Sequence, residues 1–364
     1  MTRILIAGGC GFVGAAVCRR LLAMREGLAI TVLDSLRRPG AETNRAALTA
    51  LGVRVIHGDV RMPTDIEAAA AGVGFEWVLD AAAEPSVVAG TAAGSGCTTA
   101  QLVDHNLVGT CHLIEAAARW RAGVVLLSTS RVYSIPALLS APLRVVAAVH
   151  GDAFAIDPAR PLPEGLGEAG ISERFSTAPP VSLYGATKIA GEIMALEYAH
   201  RFGTPLFVNR CGVMAGAGQF GHATQGIFSW WIHSWAARRP LSYIGFGGLG
   251  RQVRDCLHPD DLADLVDRQI AAGFGPPAVC NVSGGRPSAM SLAQLSGWCT
   301  ARFGPRPVAS AEADRPYDLP WAVLDHTLAS ARFGWHPERG VEDILSEIAD
   351  HAARHPDWLD RCGG

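Results

Sequence analysis

The chain contains 30 arginines and one lysine, and the position of that lysine is its most chemically informative feature. Lys188 follows Tyr184 by four residues in Tyr184-Gly-Ala-Thr-Lys188. Arginine keeps its charge in proteins, whereas lysine is a compact ammonium that can donate, share or lose a proton. Residues four apart on a helix lie on one face, one turn apart. We therefore interpret Lys188 as a chemical residue, with an ordinary surface pair on a helix as the alternative.

A glycine-rich turn stands between the first predicted strand and the first predicted helix, in Gly8-Gly-Cys-Gly11-Phe-Val-Gly14. Glycines let a pyrophosphate approach the backbone closely at the positive end of the helix. Asp34 follows Gly14 by 20 residues, where a carboxylate accepts the ribose hydroxyls of NAD and repels a 2′-phosphate. The pattern predicts a dinucleotide site with NAD as the cofactor. Arg37 and Arg38 keep NADP open as an alternative.

Short apolar segments alternate with amphipathic ones, as expected for parallel strands that helices cover on both faces. The predicted strands are 4–7, 29–33, 53–57, 77–82, 124–128 and 206–209. The predicted helices are 12–24, 45–51, 65–71, 101–120 and 184–202. We predict an α/β fold with a Rossmann-type, doubly wound parallel sheet and a smaller C-terminal substrate-binding lobe.

The pattern also predicts the domain organisation. Residues 1–210 form the NAD-binding domain, to which 252–282 return, and residues 211–251 and 283–364 form the smaller lobe. Residues 134–181 lose all periodicity and are rich in proline, glycine and alanine. A loop of this length is usually functional or disordered, and its place between two predicted catalytic segments favours a lid near the active site.

Composition excludes several classes of function. Apolar residues make up 49% of the chain, charged residues 18%, and the formal net charge is −3. No basic stripe indicates nucleic-acid binding, and no apolar run reaches the ~18 residues of a membrane span. The nine cysteines are scattered without a Cys-x-x-Cys pair, so we expect neither disulfides nor a metal site. We expect a cytoplasmic protein, because no secretory signal opens the sequence.

Four patterns together resemble the extended short-chain dehydrogenase/reductase superfamily, over essentially the whole chain. They are the glycine spacing, Tyr-x-x-x-Lys, Asp59-Val60 after the third strand, and Asn106 in Asn106-Leu-Val-Gly-Thr. Within the NAD-dependent epimerase/dehydratase family, the chain looks most like the CDP-paratose 2-epimerases, also called CDP-tyvelose epimerases. The most specific match to them is the string Arg251-Gln-Val-Arg-Asp-Cys-Leu-His258.

This resemblance implies three catalytic residues. Tyr184 would act as the general base on a sugar hydroxyl, and a phenol with an ordinary pKa of about 10 needs a neighbouring cation to work at neutral pH. Lys188 would supply that charge and hold the nicotinamide ribose. Thr129, just past the fifth strand, would hydrogen-bond the reacting sugar oxygen; its alternative role is to cap the strand end.

The resemblance also implies binding residues. The cofactor would contact Gly8, Gly11, Phe12, Val13, Gly14, Asp34, Ser35, Leu36, Arg38, Asp59, Val60, Ala82, Ala83, Asn106, Tyr184 and Lys188. The nucleotide-sugar substrate would contact Glu84, Ser130, Arg131, Gln225, Gln252, Arg254 and Arg315. Arg254 and Arg315 match positions that clamp the diphosphate, which suits bidentate guanidinium groups.

The residues after Thr129 bear on the reaction. Related dehydratases carry an Asp-Glu pair there, whereas this chain has Ser130 and Arg131. This favours an epimerase that oxidises its substrate transiently to a keto-sugar and returns the hydride to the opposite face. The alternatives are a nucleotide-sugar 4-epimerase, an NAD(P)-dependent ketoreductase or dehydrogenase, and a noncatalytic dinucleotide sensor, although sensors commonly lose the Tyr-Lys pair.

Two residues near the predicted cofactor site differ from the family pattern. Asp80 and Glu84 stand where relatives usually have histidine and glutamine, which places two acids near the cofactor cleft.

Helices 106–120 and 184–202 match those that form a two-fold, four-helix interface in the family. Their alanine-rich faces would permit close approach of two copies, so we expect a homodimer or homotetramer.

Overall fold

The computed structural model describes residues 1–91, 96–222, 225–273, 275–311, 313 and 315–363. The strands are β1 (Thr2–Ala7), β2 (Leu28–Asp34), β3 (Arg54–His57), β4 (Trp77–Asp80), β5 (Gly123–Thr129), β6 (Leu143–Val146), β7 (Ala153–Ile156), β8 (Leu206–Cys211), β9 (Val213–Met214), β10 (Ser242–Ile244), β11 (Val253–Leu257), β12 (Ala278–Val282), β13 (Ala289–Ser291), β14 (Ala309–Ala311) and β15 (Trp321–Ala322). The helices are α1 (Phe12–Met24), α2 (Ala41–Ala50), α3 (Pro63–Ala70), α4 (Thr99–Val103), α5 (Gly109–Trp120), α6 (Ile135–Leu139), α7 (Ser182–Phe202), α8 (Ile227–Ala236), α9 (Pro259–Ala272), α10 (Leu292–Phe303), α11 (Thr327–Phe333), α12 (Val341–Arg354) and α13 (Trp358–Arg361).

Within the described residues, seven strands form one parallel sheet in the order β3-β2-β1-β4-β5-β8-β12. Ile4 of β1 lies opposite Ile30 on one side and Trp77 on the other. The strand order reverses between β1 and β4, which opens a crevice at the carboxyl ends of the strands. The predicted Rossmann-type fold is confirmed.

Helices cover both faces of this sheet. On one face α1, α9 and α11 bury an apolar cluster that includes Leu21, Leu265 and Trp335. On the other face α3, α5 and α7 bury a second cluster, in which Ala117 and Ala195 are almost fully covered. Ala116, Ala117, Ala195 and Ala199 therefore pack inside one chain, where their small side chains let the helices approach the sheet. Ala118 and Ala190 are only half-buried, and contact between two copies stays a prediction.

The smaller lobe is built around β11, which pairs with β13, β15 and β9. Helices α8, α10 and α12 enclose its core, which includes Trp231, Trp235 and Trp298. The prediction placed residues 252–282 in the NAD-binding domain, but β11, at the start of this range, belongs to the small sheet. Only the later elements return to the NAD-binding domain. Helix α9 packs against α1, and β12 forms the edge of the large sheet.

The segment 134–181 holds α6 and an antiparallel hairpin of β6 and β7, where the sequence showed no periodicity. Its apolar residues share a core with Tyr133, Leu319 and Trp321. The whole segment is described, and none of its residues lines the large cavity discussed below. The predicted lid does not line the cavity in this structure, although the carbonyl oxygen of its Asp152 accepts a hydrogen bond from Ser291 of the cavity wall.

The described residues contain neither a membrane-spanning helix nor a cluster of metal-binding side chains. Among the described helices, none has both the length and the apolar character needed to cross a bilayer. In the same part of the chain, no three histidine, cysteine, aspartate or glutamate side chains lie close enough together to hold a metal ion.

Candidate active site

A cavity of about 380 Å³ lies where β1, β5 and β8 end, between the two lobes. Such a crevice is where open α/β sheets bind ligands. The structure brings together in its wall the following predicted residues: Gly8, Gly11, Phe12, Val13, Gly14, Arg38, Ala83, Thr129, Ser130, Arg131, Tyr184, Lys188, Gln225, Gln252, Arg254 and Arg315.

The glycine turn forms one end of the cavity. Gly8 has a φ of +72°, and a Cβ atom there would lie 2.8 Å from the backbone of Ala81. A Cβ on Gly14 would lie 2.4 Å from the carbonyl oxygen of Gly8. Helix α1 follows directly, and no side chain caps its N-terminus at Gly11. The turn therefore leaves backbone N–H groups available to a pyrophosphate, which fits NAD.

The carboxyl end of β2 lies beside the glycine turn, where the ribose of NAD is expected to bind. The carboxylate of Asp34 accepts hydrogen bonds of 2.8 Å from the backbone N–H groups of Cys10 and Leu36. Arg38 donates to Gln225 Oε1 at 2.6 Å and to the carbonyl oxygen of Phe220. Because these hydrogen bonds hold the Arg38 side chain against the other lobe, its guanidinium is not free to bind a 2′-phosphate.

Tyr184 and Lys188 occupy the buried face of α7, with 7% and 4% of their surfaces exposed. Thr129 ends β5, and its hydroxyl is near enough to the phenol of Tyr184 to lower the pKa of that phenol. Gly185 makes this arrangement possible, since a Cβ there would lie 2.3 Å from the carbonyl oxygen of Arg131. Sequence reasoning missed Gly185, although a glycine next to the tyrosine was a visible signal.

Burial raises the pKa of Tyr184 to about 12, and the hydroxyl of Thr129 opposes this increase. The charge that most lowers this pKa belongs to Arg131, and the charge of Glu84 raises it. Lys188 is not among the groups with the largest effects on this pKa, and its role beside Tyr184 stays a prediction. The Lys188 ammonium acts more strongly on Asp80 and on the thiol of Cys211.

Three arginines and one carboxylate meet at the other end of the cavity. Arg254 pairs with Asp318 at 2.6 Å, and both side chains are almost buried. Arg131 donates to the carbonyl oxygen of Tyr317 at 2.9 Å. Burial and the nearby charge of Arg254 lower the pKa of Arg131 to about 10, and Arg315 adds to this repulsion. A cluster with this excess of positive charge suits an anionic ligand such as a diphosphate.

Comparison with known proteins identifies the family. The model described as NAD dependent epimerase/dehydratase family matches residues 4–282. The chain belongs to this family. It is therefore an enzyme of the epimerase, dehydratase and reductase kind, and its cofactor is NAD.

The chain is similar to several characterised members of the family along its whole length. It is 25% identical to the CDP-paratose 2-epimerase of Salmonella typhi, over 96% of this chain and 98% of that protein. It is 28% identical to the dTDP-L-rhamnose 4-epimerase of Burkholderia thailandensis, over 97% and 96%. It is 26% identical to a dTDP-glucose 4,6-dehydratase of Streptomyces niveus, over 98% and 94%.

Solved structures of epimerases share the fold. The UDP-glucose 4-epimerase of Thermus thermophilus, in complex with NAD, has a TM-score of 0.74 at 23% identity and covers 97% of this chain and 99% of its own. The UDP-glucuronic acid 4-epimerase of Bacillus cereus, in complex with UDP-glucuronic acid and NAD, has a TM-score of 0.73 at 20% identity, with the same coverage.

Some residues predicted from the family pattern lie behind the cavity wall. Asn106 accepts from the backbone N–H of Glu84 at 2.7 Å and donates to its carbonyl oxygen and to Thr187. Asp59 pairs with Arg61 at 2.6 Å. The hydrogen bonds of Asn106 hold the loop after β4, and the pair of Asp59 with Arg61 lies in the loop after β3. The predicted residues that do not line the cavity are Asp34, Ser35, Leu36, Asp59, Val60, Ala82, Glu84 and Asn106.

Two glutamines add polar groups to the wall. Gln219 is 8% exposed and donates to the carbonyl oxygen of Met214 at 2.7 Å, but its Oε1 is buried with no partner among the described residues. The same holds for Gln252 Oε1 within the described part of the chain. An unpaired buried acceptor is costly, so both oxygens suit donors on a ligand. Sequence reasoning placed only Gln252 among the binding residues, because no local signal marks Gln219.

Proposed function

We propose that the chain is an NAD-dependent nucleotide-sugar epimerase, similar to the CDP-paratose 2-epimerases. The observation that carries this proposal is the cavity itself. One continuous wall runs from the glycine turn, past Thr129 and Tyr184, to the cluster of Arg131, Arg254 and Arg315. A nucleotide sugar needs this order, since its reactive ring lies beside its diphosphate.

The side chains of the cavity have defined tasks in this proposal. When bound, NAD supplies the removal and return of hydride at one sugar carbon. Tyr184 accepts the proton of the sugar hydroxyl and later returns it, while Thr129 holds the same oxygen by a hydrogen bond. The charge of Arg131 stabilises the phenolate, and Lys188, one helical turn after Tyr184, would add its charge and hold the nicotinamide ribose. The arginine cluster holds the diphosphate.

The choice of an epimerase over a dehydratase is supported by the residues beside Thr129. Elimination of water needs a positioned acid, and the next two residues are Ser130 and Arg131. Among the described residues that line the cavity, the carboxylate is that of Asp318, which is already paired with Arg254. No acid of the described lining is therefore free to protonate a leaving hydroxyl.

The substrate within this proposal is a CDP-linked hexose inverted at C2. Its support is the whole-length similarity to the Salmonella typhi 2-epimerase and the Arg251–His258 string. The similarity to the Burkholderia thailandensis enzyme makes inversion at C4 of a dTDP-linked sugar the runner-up.

The test is incubation of the purified protein with CDP-, dTDP- and UDP-sugars in D₂O without added cofactor, followed by NMR. We expect an epimer with no deuterium on the inverted carbon, because no proton from water reaches that carbon. Tyr184→Phe should abolish the reaction. Deuterium on the inverted carbon would indicate deprotonation and reprotonation instead. A strict requirement for added NADH would indicate a ketoreductase.

A further inference from the structure

A second cavity, of about 340 Å³, lies between the hairpin of β6 and β7 and the small sheet around β11. It is nearly as large as the active-site cavity of about 380 Å³, and a volume of this size is typical of ligand pockets. Among the described residues, no side chain belongs to the walls of both cavities. The second cavity is therefore a separate space, and the reaction proposed above makes no use of it.

The small sheet separates the second cavity from the active site. On β11, Val253 lines the second cavity and the next residue, Arg254, lines the active site. On β13, Ala289 lines the second cavity and Met290 lines the active site. Successive side chains of a strand point to opposite faces of its sheet. The two cavities therefore lie on opposite faces of one sheet, and a ligand of the second cavity does not occupy the active site.

Much of the wall of the second cavity is apolar. Val253, Trp321 and Val323 contribute from the side of the small sheet, and Val146 and Ile156 contribute from the hairpin. Four of these five side chains are buried, and they belong to the core that the segment 134–181 shares with the small lobe. Such a wall stabilises the apolar part of a ligand, because it removes that part from water.

Three charged side chains complete the described wall of the second cavity. Arg144 on β6, Glu168 and Arg286 are all exposed. Arg286 donates a hydrogen bond of 3.3 Å to the backbone carbonyl oxygen of Glu168. Within the described residues, neither arginine forms an ion pair, whereas Arg251 is paired with Asp152 at 2.9 Å. The wall therefore carries a net positive charge and two guanidinium groups that no described carboxylate pairs with.

We propose that the second cavity binds a small organic anion. The apolar body of this ligand lies against Trp321 and Val253, and its acidic group binds Arg144 and Arg286. Guanidinium groups bind carboxylate, sulfonate and phosphate oxygens through pairs of N–H donors, and the apolar wall receives the rest of the molecule. This inference does not rest on the function proposed above, because it concerns the binding of a ligand to residues outside the active site.

The binding test uses 1-anilinonaphthalene-8-sulfonate, whose rings provide the apolar body and whose sulfonate provides the charge. In a fluorescence titration, we expect the double substitution Arg144→Gln and Arg286→Gln to weaken binding at least about fivefold, because two charge pairs are lost. N-phenyl-1-naphthylamine has the same rings without the sulfonate and should bind both proteins equally. The matched control is Arg160→Gln with Arg174→Gln, which removes two exposed arginines of the same segment outside the cavity wall and should leave sulfonate binding within about twofold of wild type.

The location is tested with Ala289→Phe, which places a ring in the second cavity and should remove the binding that depends on the two arginines. Unchanged sulfonate affinity in the double arginine variant, or an equal loss of affinity for the neutral dye, would overturn the proposal. The same holds if Ala289→Phe binds as many sulfonate molecules as wild type, since the dye would then lie elsewhere. Circular dichroism checks that each variant folds. If Ala289→Phe does not fold, Ala155→Phe, on the β7 side of the cavity, is held to the same criterion.

Discussion

Glu192 of α7 and Arg210 of β8 form a buried ion pair, with 2.7 Å between Oε2 and Nη2. The hydroxyl of Ser128, one residue before Thr129, also donates to Glu192. One carboxylate therefore ties together the helix that carries Tyr184 and the strand that carries Thr129. This bond network sets the distance between the two groups proposed to contact the sugar oxygen.

We predict that Glu192→Gln destabilises the protein by about 3–5 kcal/mol, because it leaves the guanidinium of Arg210 buried without its charge partner. Urea unfolding monitored by circular dichroism measures the change. Glu115→Gln is the matched control: it removes an exposed pair with Arg119 and should cost less than about 1 kcal/mol. Equal effects of the two substitutions would show that the buried pair contributes no more than a surface pair.

Lys188→Arg should lower turnover by at least about 10²-fold while NAD remains bound, because a guanidinium fork cannot take the place of a compact ammonium at a buried position. Steady-state kinetics with the best sugar substrate measures this. Arg201→Lys, at the exposed end of the same helix, makes the reverse exchange and should leave turnover unchanged. Near wild-type turnover in Lys188→Arg would mean that charge alone suffices at this position.

We predict that NAD, and not NADP, is released from the purified protein by denaturation and chromatography. Asp34 repels a 2′-phosphate, Arg38 is committed to Gln225 and Phe220, and Arg37 contacts His105. Arg37→Ala should leave the NAD content unchanged, whereas Asp34→Ala should lower it. Recovery of NADP as the main species would show that the arginines dominate the carboxylate.

Stability should depend on pH through His351 in α12. Burial, followed by the charges of His233 and His355, lowers the pKa of His351 to about 4. A histidine whose folded pKa lies below its unfolded value of about 6.5 contributes stability above pH 6.5 and loses it as the pH falls towards 4. Between pH 7 and 4, we expect the unfolding free energy of wild type to fall about 2 kcal/mol more than that of His351→Gln.

The control for this measurement is His200→Gln, which alters an exposed histidine on α7 and should keep the wild-type pH dependence. Parallel curves for wild type and His351→Gln would contradict the assignment. His351 packs against Trp358, whose indole donates to the carbonyl oxygen of Gln219 at 2.8 Å. Protonation of His351 should therefore also loosen the cavity wall.

Assembly is predicted to use the outer face of α7. Ala195 and Ala199 are buried inside the chain, but Leu183, Ile193 and Met194 are exposed, with 55% of Ile193 accessible. Light scattering should show a dimer or tetramer of wild type at micromolar concentration. Ile193→Glu should shift the protein towards monomer, whereas Leu51→Glu, at an exposed apolar residue after α2, should not. A monomeric wild type would rule this interface out.

The parts of the site that the sequence determined are those whose geometry is local. The glycines are needed because backbone segments a few residues apart approach each other closely in the turn. Tyr184 and Lys188 lie one helical turn apart, on the same face of their helix. Thr129 could be placed because it ends an apolar strand. The parallel, doubly wound character of the sheet followed from the alternation of strands and helices. None of these inferences needed to know which distant residues meet.

The remaining features of the site could be seen only in the tertiary structure, because they depend on charges and surfaces that lie far apart in the chain. The burial of Tyr184 and the effect of Arg131 on its pKa became visible only in the folded chain. Ala117 and Ala195 pack inside the chain, and the segment 134–181 forms a hairpin that does not line the active-site cavity. A sequence pattern states which side chains can be buried or charged, but the distance between two of them depends on how whole elements pack.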